Sequence, residues 1–381
     1  MKRFLALMLV LVLSAMTLAG CGGNGGSNDA AADMKVAMVT DYGDITDQSF
    51  NQTTYEACKA WADANSVEFN YFKPASNSDE DRVSMIEKAV DEGYTVIVMP
   101  GYAFAPAIVK TVEEYPDVDF IALDVSEYDL QDAHGTAADF SWEYPANLYS
   151  AVYQEELCGY MAGYAAVKLG YTKLGFLGGM AVPAVVRYGY GFVQGADKAA
   201  AETGATVEIK YAYGNQFYGD ADITAAMDTW YAGGTEVVFA CGGGIFTSAG
   251  EAAAKVGGKV IGVDVDQAAT IDGLYGEGMT VTSAMKGLAA TVNTMLTVVK
   301  DGKFSEYGGK VETLGLVSET PEENYVQLAG STQFGAGFSE DDYKALVKDM
   351  FNGTITVNND TAITAADNAT VVTVIDQGNI K

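Results

Sequence analysis

Histidine is nearly absent from these 381 residues; His134 is the single one. A zinc pattern such as HExxH therefore cannot be written, and neither GxSxG nor GxxxxGKS/T occurs, so the sequence offers no standard catalytic signature. Cysteine is scarce too. Apart from Cys21 there are Cys58, Cys158 and Cys241, odd in number, far apart and without CxxC spacing. That pattern suits small buried thiols better than a disulfide framework or a zinc site. Basic residues number 22 against 51 acidic ones, a formal net charge of −29. Such a surface repels nucleic acid and anionic lipid, which argues against polyanionic partners. Long hydrophobic runs are missing beyond the first residues, since nothing later approaches the roughly 18 apolar residues of a membrane-spanning helix.

The start of the chain is the exception. Lys2 and Arg3 precede an apolar run over 4–18, followed by Leu18-Ala19-Gly20-Cys21. A charged head, an apolar stretch and small residues before a cut predict a secretory signal over 1–20, whose removal takes the net charge from −29 to −31. Cys21 after small residues resembles the lipobox of bacterial lipoproteins, where that cysteine becomes the lipidated first residue. The alternative is a signal anchor that merely contains a cysteine. The Gly/Asn/Ser-rich stretch that follows suits a flexible tether, read here as 21–34 together with Cys21. Stable anchoring takes more than one acyl chain. The expected location is outside the cytoplasm, anchored to the cell membrane.

With 49% hydrophobic residues, 381 positions are enough for two α/β cores. Short apolar runs at 35–40, 67–72, 95–100 and 118–124 alternate with amphipathic segments, and a second series at 173–178, 206–213, 235–241 and 259–263 does the same. Alternation of this kind predicts parallel sheets with helices on both faces, and runs without polar alternation predict strands buried on both sides. A single long helix is expected over 147–169. The segments 134–142, 279–284 and 311–317 are read as crossovers between lobes, 286–300 as a helix returning to the first lobe, and the tail 354–381 as irregular or β. The expected lobes are 35–142 with 284–312, and 143–283 with 313–381.

The stretch 35–51, KVAMVTDYGDITDQSFN, organises the chain. A strand runs into a polar loop holding Asp41, Asp44 and Asp47, and a helix opens near Asp47. Ligands of open α/β sheets bind beyond the carboxyl ends of the strands. Asp41, Asp124 and Asp264 all end predicted strands, and Gly242-Gly243-Gly244 ends another. One such Asp is commonly a turn or cap residue, the part expected of Asp47; three in corresponding places suggest a ligand site. The glycines suit either close backbone approach to a ligand or a tight turn. Phe50 and Phe217 sit on or beside these loops, as core-covering rings or as two sides of a clamp. Lys286 reads as a solvated helix-start lysine or, near three carboxylates, as a charge that offsets their mutual repulsion. The Asp41/Asp44/Asp47 spacing fits no EF-hand loop, nor the Asp-x-Asp-x-x-x-Asp-Asp of calcium-dependent nucleoside hydrolases. Gly189-Tyr190-Gly191 is no dinucleotide fingerprint, because Gly195 comes one residue late.

These residues carry a resemblance. Residues 39–52, VTDYGDITDQSFNQ, resemble the signature VTD-x-G-x-I-x-D-x-SFNQ of the basic membrane lipoprotein family of ABC-transporter substrate-binding proteins. GFLGGM at 175–180, GFVQG at 191–195, IGVDVDQ at 261–267 and TSAMK at 282–286 follow in order. The resemblance spans about 35–317. It implies a type I periplasmic-binding-protein fold, two lobes joined by three crossovers, binding a nucleoside, in particular a purine nucleoside, without being an enzyme. It further implies that Phe50 and Phe217 sandwich the base, with Asp41, Asn51 and Asp124 as polar partners. Asp264 and Lys286 would serve the sugar, and Gly243 would line the ribose side. Tyr42 stands where a small residue is common, and Val265 where Arg is common. The expected partners are the nucleoside, an ABC permease with its ATPase, and the membrane through lipid on Cys21; no cofactor, metal or nucleic acid is expected, and the chain is expected to act as a monomer. Rival readings are a binding protein for a free sugar or another small polar metabolite, and an anchored ligand sensor without transport.

Overall fold

A computed structural model describes residues 34–381. The expected signal segment, Cys21 and nearly all of the tether lie outside the described residues. The chain first forms β1 (Lys35–Val39), α1 (Phe50–Asn65), β2 (Glu68–Phe72), α2 (Asp79–Asp91), β3 (Val96–Pro100), α3 (Ala105–Thr111), β4 (Asp119–Leu123), α4 (Glu127–His134) and β5 (Leu148–Tyr153). A second run follows: α5 (Glu155–Lys168), β6 (Lys173–Gly178), α6 (Pro183–Thr203), β7 (Glu208–Tyr213), α7 (Ala221–Ala232), β8 (Val237–Cys241), α8 (Phe246–Ala254), β9 (Lys259–Asp264), α9 (Ala268–Tyr275) and β10 (Thr280–Lys286). It closes with α10 (Leu288–Lys300), β11 (Lys310–Leu314), β12 (Val326–Leu328), α11 (Glu340–Phe351) and β13 (Thr373–Asn379).

Two sheets result, ordered β11-β5-β4-β3-β1-β2 and β12-β10-β9-β8-β6-β7-β13. Their pairings are parallel except β10 with β12. Every residue of β3 and β8 is buried, as unbroken runs of Val, Ile, Phe and Met require when helices cover both faces. The chain passes between the sheets three times: after β5, after β10 and after β11.

Three expectations need correction. Leu148–Tyr153 is not the start of a helix but β5, paired with β4 and β11, so the first sheet extends past residue 142 to 153. Asn147 sets its start by donating to the carbonyls of Val112, Tyr115 and Val118 at 3.0–3.1 Å. Residues 279–284 belong to β10, an interior strand of the second sheet, so the return to the first begins after Lys286, and β11 carries the first sheet on to Leu314. Residues 134–142 are no crossover: His134 ends α4 and its ring stacks on Trp142 at 4.7 Å. The tail does add a strand, β13, beside β7.

The passage after β5 leads into α5, which packs lengthwise on α6 through reciprocal glycines. A Cβ on Gly163 would lie 2.0 Å from the Phe192 carbonyl, and one on Gly191 the same distance from the Glu156 carbonyl. Gly191 thus serves helix contact. Cys58, Cys158 and Cys241 are buried free thiols. Among the described residues no helix is long and apolar enough to cross a membrane.

Candidate ligand-binding site

The carboxyl ends of the two sheets face each other across a cavity of about 790 Å³, within the usual range for small-molecule sites. All eight residues singled out in the sequence line it. Asp41, Phe50, Asn51 and Asp124 come from the first lobe. Phe217, Gly243, Asp264 and Lys286 come from the second.

The loop after β1 is held by its own carboxylates. Asp41 Oδ1 accepts from the backbone N–H groups of Tyr42 and Gly43, both at 2.6 Å. Burial pushes the Asp41 carboxyl up, and those two donors resist the shift. Asp47 accepts from the N–H groups of Ser49, Asn51 and Gln52 at 2.9–3.0 Å, so it caps α1 as expected. It also accepts from Asn51 Nδ2 at 3.2 Å, while Asn51 Oδ1 is buried without a partner among the described residues.

Asp124 and Asp264 occupy equivalent places, just past β4 and at the end of β9, and both have left-handed backbones, φ 60° and 65°. Asp tolerates that conformation better than most residues, at some cost in strain. Between them lies Lys286, whose ammonium donates to Asp124 Oδ2 at 2.5 Å and Glu155 Oε1 at 3.2 Å, with Asp264 Oδ1 at 3.8 Å. Burial alone would weaken its hold on the proton. The Asp124, Glu155 and Asp264 carboxylates outweigh burial and hold the ammonium well above the ordinary lysine value. Glu155 in turn binds Arg187 at 2.7 Å. Burial also raises the Asp124 carboxyl, against the pull of Lys286, and Asp124 Oδ1 is buried with no partner among the described residues.

Direct bonds join the lobes across one side of the cleft. Ser49 Oγ donates to Asp264 Oδ2 at 2.5 Å, Gln267 Nε2 to the Gln48 carbonyl at 2.9 Å, and the Tyr42 hydroxyl to Met180 Sδ at 3.2 Å. Asp264 is therefore already engaged by Ser49.

The aromatic walls have distinct settings. Lys286 Nζ sits over the Phe50 ring, 4.9 Å from its centroid. Phe217 lies in a cradle of glycines: a Cβ on Gly179 or Gly242 would come within 2.4 or 2.8 Å of its ring, and one on Gly243 within 2.6 Å of its carbonyl. Gly244 N–H donates to that carbonyl at 2.8 Å. The triple glycine lines the cavity, and its lack of side chains makes room for Phe217.

Sequence reasoning missed Glu155, Arg187, Ser49 and Met180. Arg187 is the one charge between Lys173 and Asp197, a usable signal. Glu155 opens a helix, where an acidic residue is ordinary, so nothing marked it. Among the described residues no group of three His, Cys, Asp or Glu side chains is placed to hold a metal ion.

Two largely parallel sheets, three passages between them and a cavity at their facing ends define the two-lobed type I periplasmic-binding-protein fold. Solved structures agree on the fold. Solute-binding proteins of ABC transporter systems from Aeropyrum pernix and Conexibacter woesei superpose with TM-scores of 0.64 each, at 19% and 20% identity, covering 88% and 86% of this chain and 90% and 99% of theirs. Residues 34–332 match the Bmp family model, described as ABC transporter substrate-binding protein PnrA-like, and the chain belongs to that family. Similar proteins include the ABC transporter nucleoside-binding protein BmpA of Lactococcus lactis, 29% identical over 83% of this chain and 89% of that one. Basic membrane protein A of Borreliella burgdorferi is 25% identical over 82% and 86%. The protein is thus a substrate-binding component of an ABC transporter.

Proposed function

We propose that this protein binds nucleosides, purine nucleosides foremost, in the cleft and delivers them to an ABC permease and its ATPase, as a monomer held outside the cytoplasm by lipid on Cys21. The observation that carries the reading is one cavity whose walls hold aromatic rings from both lobes beside the carboxylates of Asp41, Asp124 and Asp264. Carboxylates accept hydrogen bonds, so the cavity favours a guest that brings donors. A flat ring with N–H groups and a sugar with hydroxyls answers both features. The printed name of the Lactococcus relative, a nucleoside-binding protein, supports the same ligand.

In this reading Phe50 and Phe217 contact the base, Asn51 and Asp124 take its donors, and Asp41 keeps their loop in place. Asp264 and Lys286 serve the sugar, with Gly243 beside it. Closing two lobes on a guest held by both is a population shift toward the state the permease engages. Titration calorimetry with purine nucleosides, and mass spectrometry of what co-purifies, test this. Nucleoside binding that weakens at least about tenfold, ~1.4 kcal/mol, in Asp264→Ala is expected. Failure to bind any nucleoside, or equal competition by ribose alone, would overturn it.

A further inference from the structure

The loop that follows β1 delivers a third ring to the cleft. Tyr42 lines the cavity, and its ring centroid lies 6.5 Å from that of Phe217 with the planes inclined at 33°. The two rings belong to opposite lobes. A flat guest between two faces needs about 7–8 Å, two carbon contacts of roughly 3.5–4.0 Å. The Tyr42–Phe217 gap is therefore about an ångström short of that width, and a flat guest enters it only as the two lobes part by that much. Phe50, by contrast, has the Lys286 ammonium over its ring.

Tyr42 is also fixed on both sides. Its own N–H and that of Gly43 are bound by Asp41 Oδ1, and a Cβ on Gly43 would lie 2.3 Å from Asn51 Nδ2, so the loop has little room to shift. At the other end the hydroxyl reaches Met180 Sδ in the second lobe. Phe217 is confined by Gly179 and Gly242 behind it.

We propose that Tyr42 is a ligand-contacting, specificity-determining residue: it supplies the first-lobe face opposite Phe217 for a flat ring, and its bond to Met180 holds that face in place when the lobes meet. The proposal rests on the nucleoside reading and names a contact beyond it. Its test is titration calorimetry of a purine nucleoside against the unchanged protein, Tyr42→Thr and Tyr42→Phe, with thermal unfolding to verify that the variants fold. Tyr42→Thr should weaken binding about three- to tenfold, the contribution of one aromatic face. Tyr42→Phe, which keeps the face and loses the hydroxyl, should stay within about threefold of the parent. Equal affinity in Tyr42→Thr and the parent overturns the proposal. So does an equal loss in both variants, which would assign the effect to the hydroxyl alone. If the unchanged protein binds no nucleoside, the functional reading itself fails, and this contact with it.

Discussion

Replacing Glu156 by Gln should stabilise the protein at alkaline pH. Glu156 lies in the first turn of α5, 2% exposed, and its Oε2 has no partner among the described residues. Burial pushes its carboxyl from 4.5 up to about 7, with the Glu155 charge adding to the shift against a backbone N–H and Arg187. The folded protein therefore holds this proton more tightly than the unfolded chain does. The resulting cost is absent below about pH 4.5, grows as pH rises, and is complete above about pH 7. The rise from 4.5 to about 7, at ~1.4 kcal/mol per tenfold in proton affinity, makes the full cost about 3 kcal/mol. Gln has the same shape and no charge to bury. Urea unfolding at pH 8 should then show Glu156→Gln more stable by about 3 kcal/mol, and the two proteins should converge toward pH 4.5. Stability curves that run parallel across this range would refute the reasoning, whichever protein lies higher.

Lys286→Met should cost about 3–5 kcal/mol near neutral pH, because Asp124, Glu155 and Asp264 would keep their burial and lose the cation between them. Without the ammonium those carboxyls bind protons more tightly, so the loss should shrink on acidification, and urea titrations at two pH values check it. Gly179→Ala places a methyl 2.4 Å from the Phe217 ring and should displace that ring. Nucleoside affinity should drop about three- to tenfold, as in Phe217→Ala, and calorimetry on the double variant should show no further loss.

Much of this arrangement was legible in the sequence for a physical reason. Ligand loops of parallel sheets lie where apolar runs end, and such runs as Val-Ile-Val-Met at 96–99 or Val-Val-Phe-Ala at 237–240 are unmistakable. The eight site residues converge because the loops that carry them occupy one end of both sheets. Asp47 could be assigned to capping because a carboxylate before a helix has open N–H groups to meet. What stayed hidden depended on tertiary pairing. Leu148–Tyr153 is apolar enough for helix or strand, and its neighbours β4 and β11 decide the matter. Glu155 looks like any acidic residue in a first helical turn until Lys286 and Arg187, from two other segments, arrive beside it. That Gly242 and Gly243 serve Phe217 cannot be read from a glycine run, because the ring they accommodate comes from 25 or more residues earlier.

The cleft floor also narrows which guests the proposed function can include. Its charged groups are arranged to satisfy one another: Lys286 is taken by Asp124 and Glu155, Arg187 by Glu155, and the Asp264 Oδ2 by Ser49. Among the described residues no cation of this network is left without a carboxylate. An anionic guest would meet carboxylates and pay desolvation with no ammonium free to repay it. A neutral guest carrying N–H or O–H groups would meet acceptors in the carboxylates that line the cavity. A free sugar offers the hydroxyls but no flat face for Tyr42, Phe50 and Phe217, and a free base offers the face but not the hydroxyls. Only a guest with both uses what each lobe presents, and this is why the ring contacts and the acceptor contacts should fail separately when each is removed.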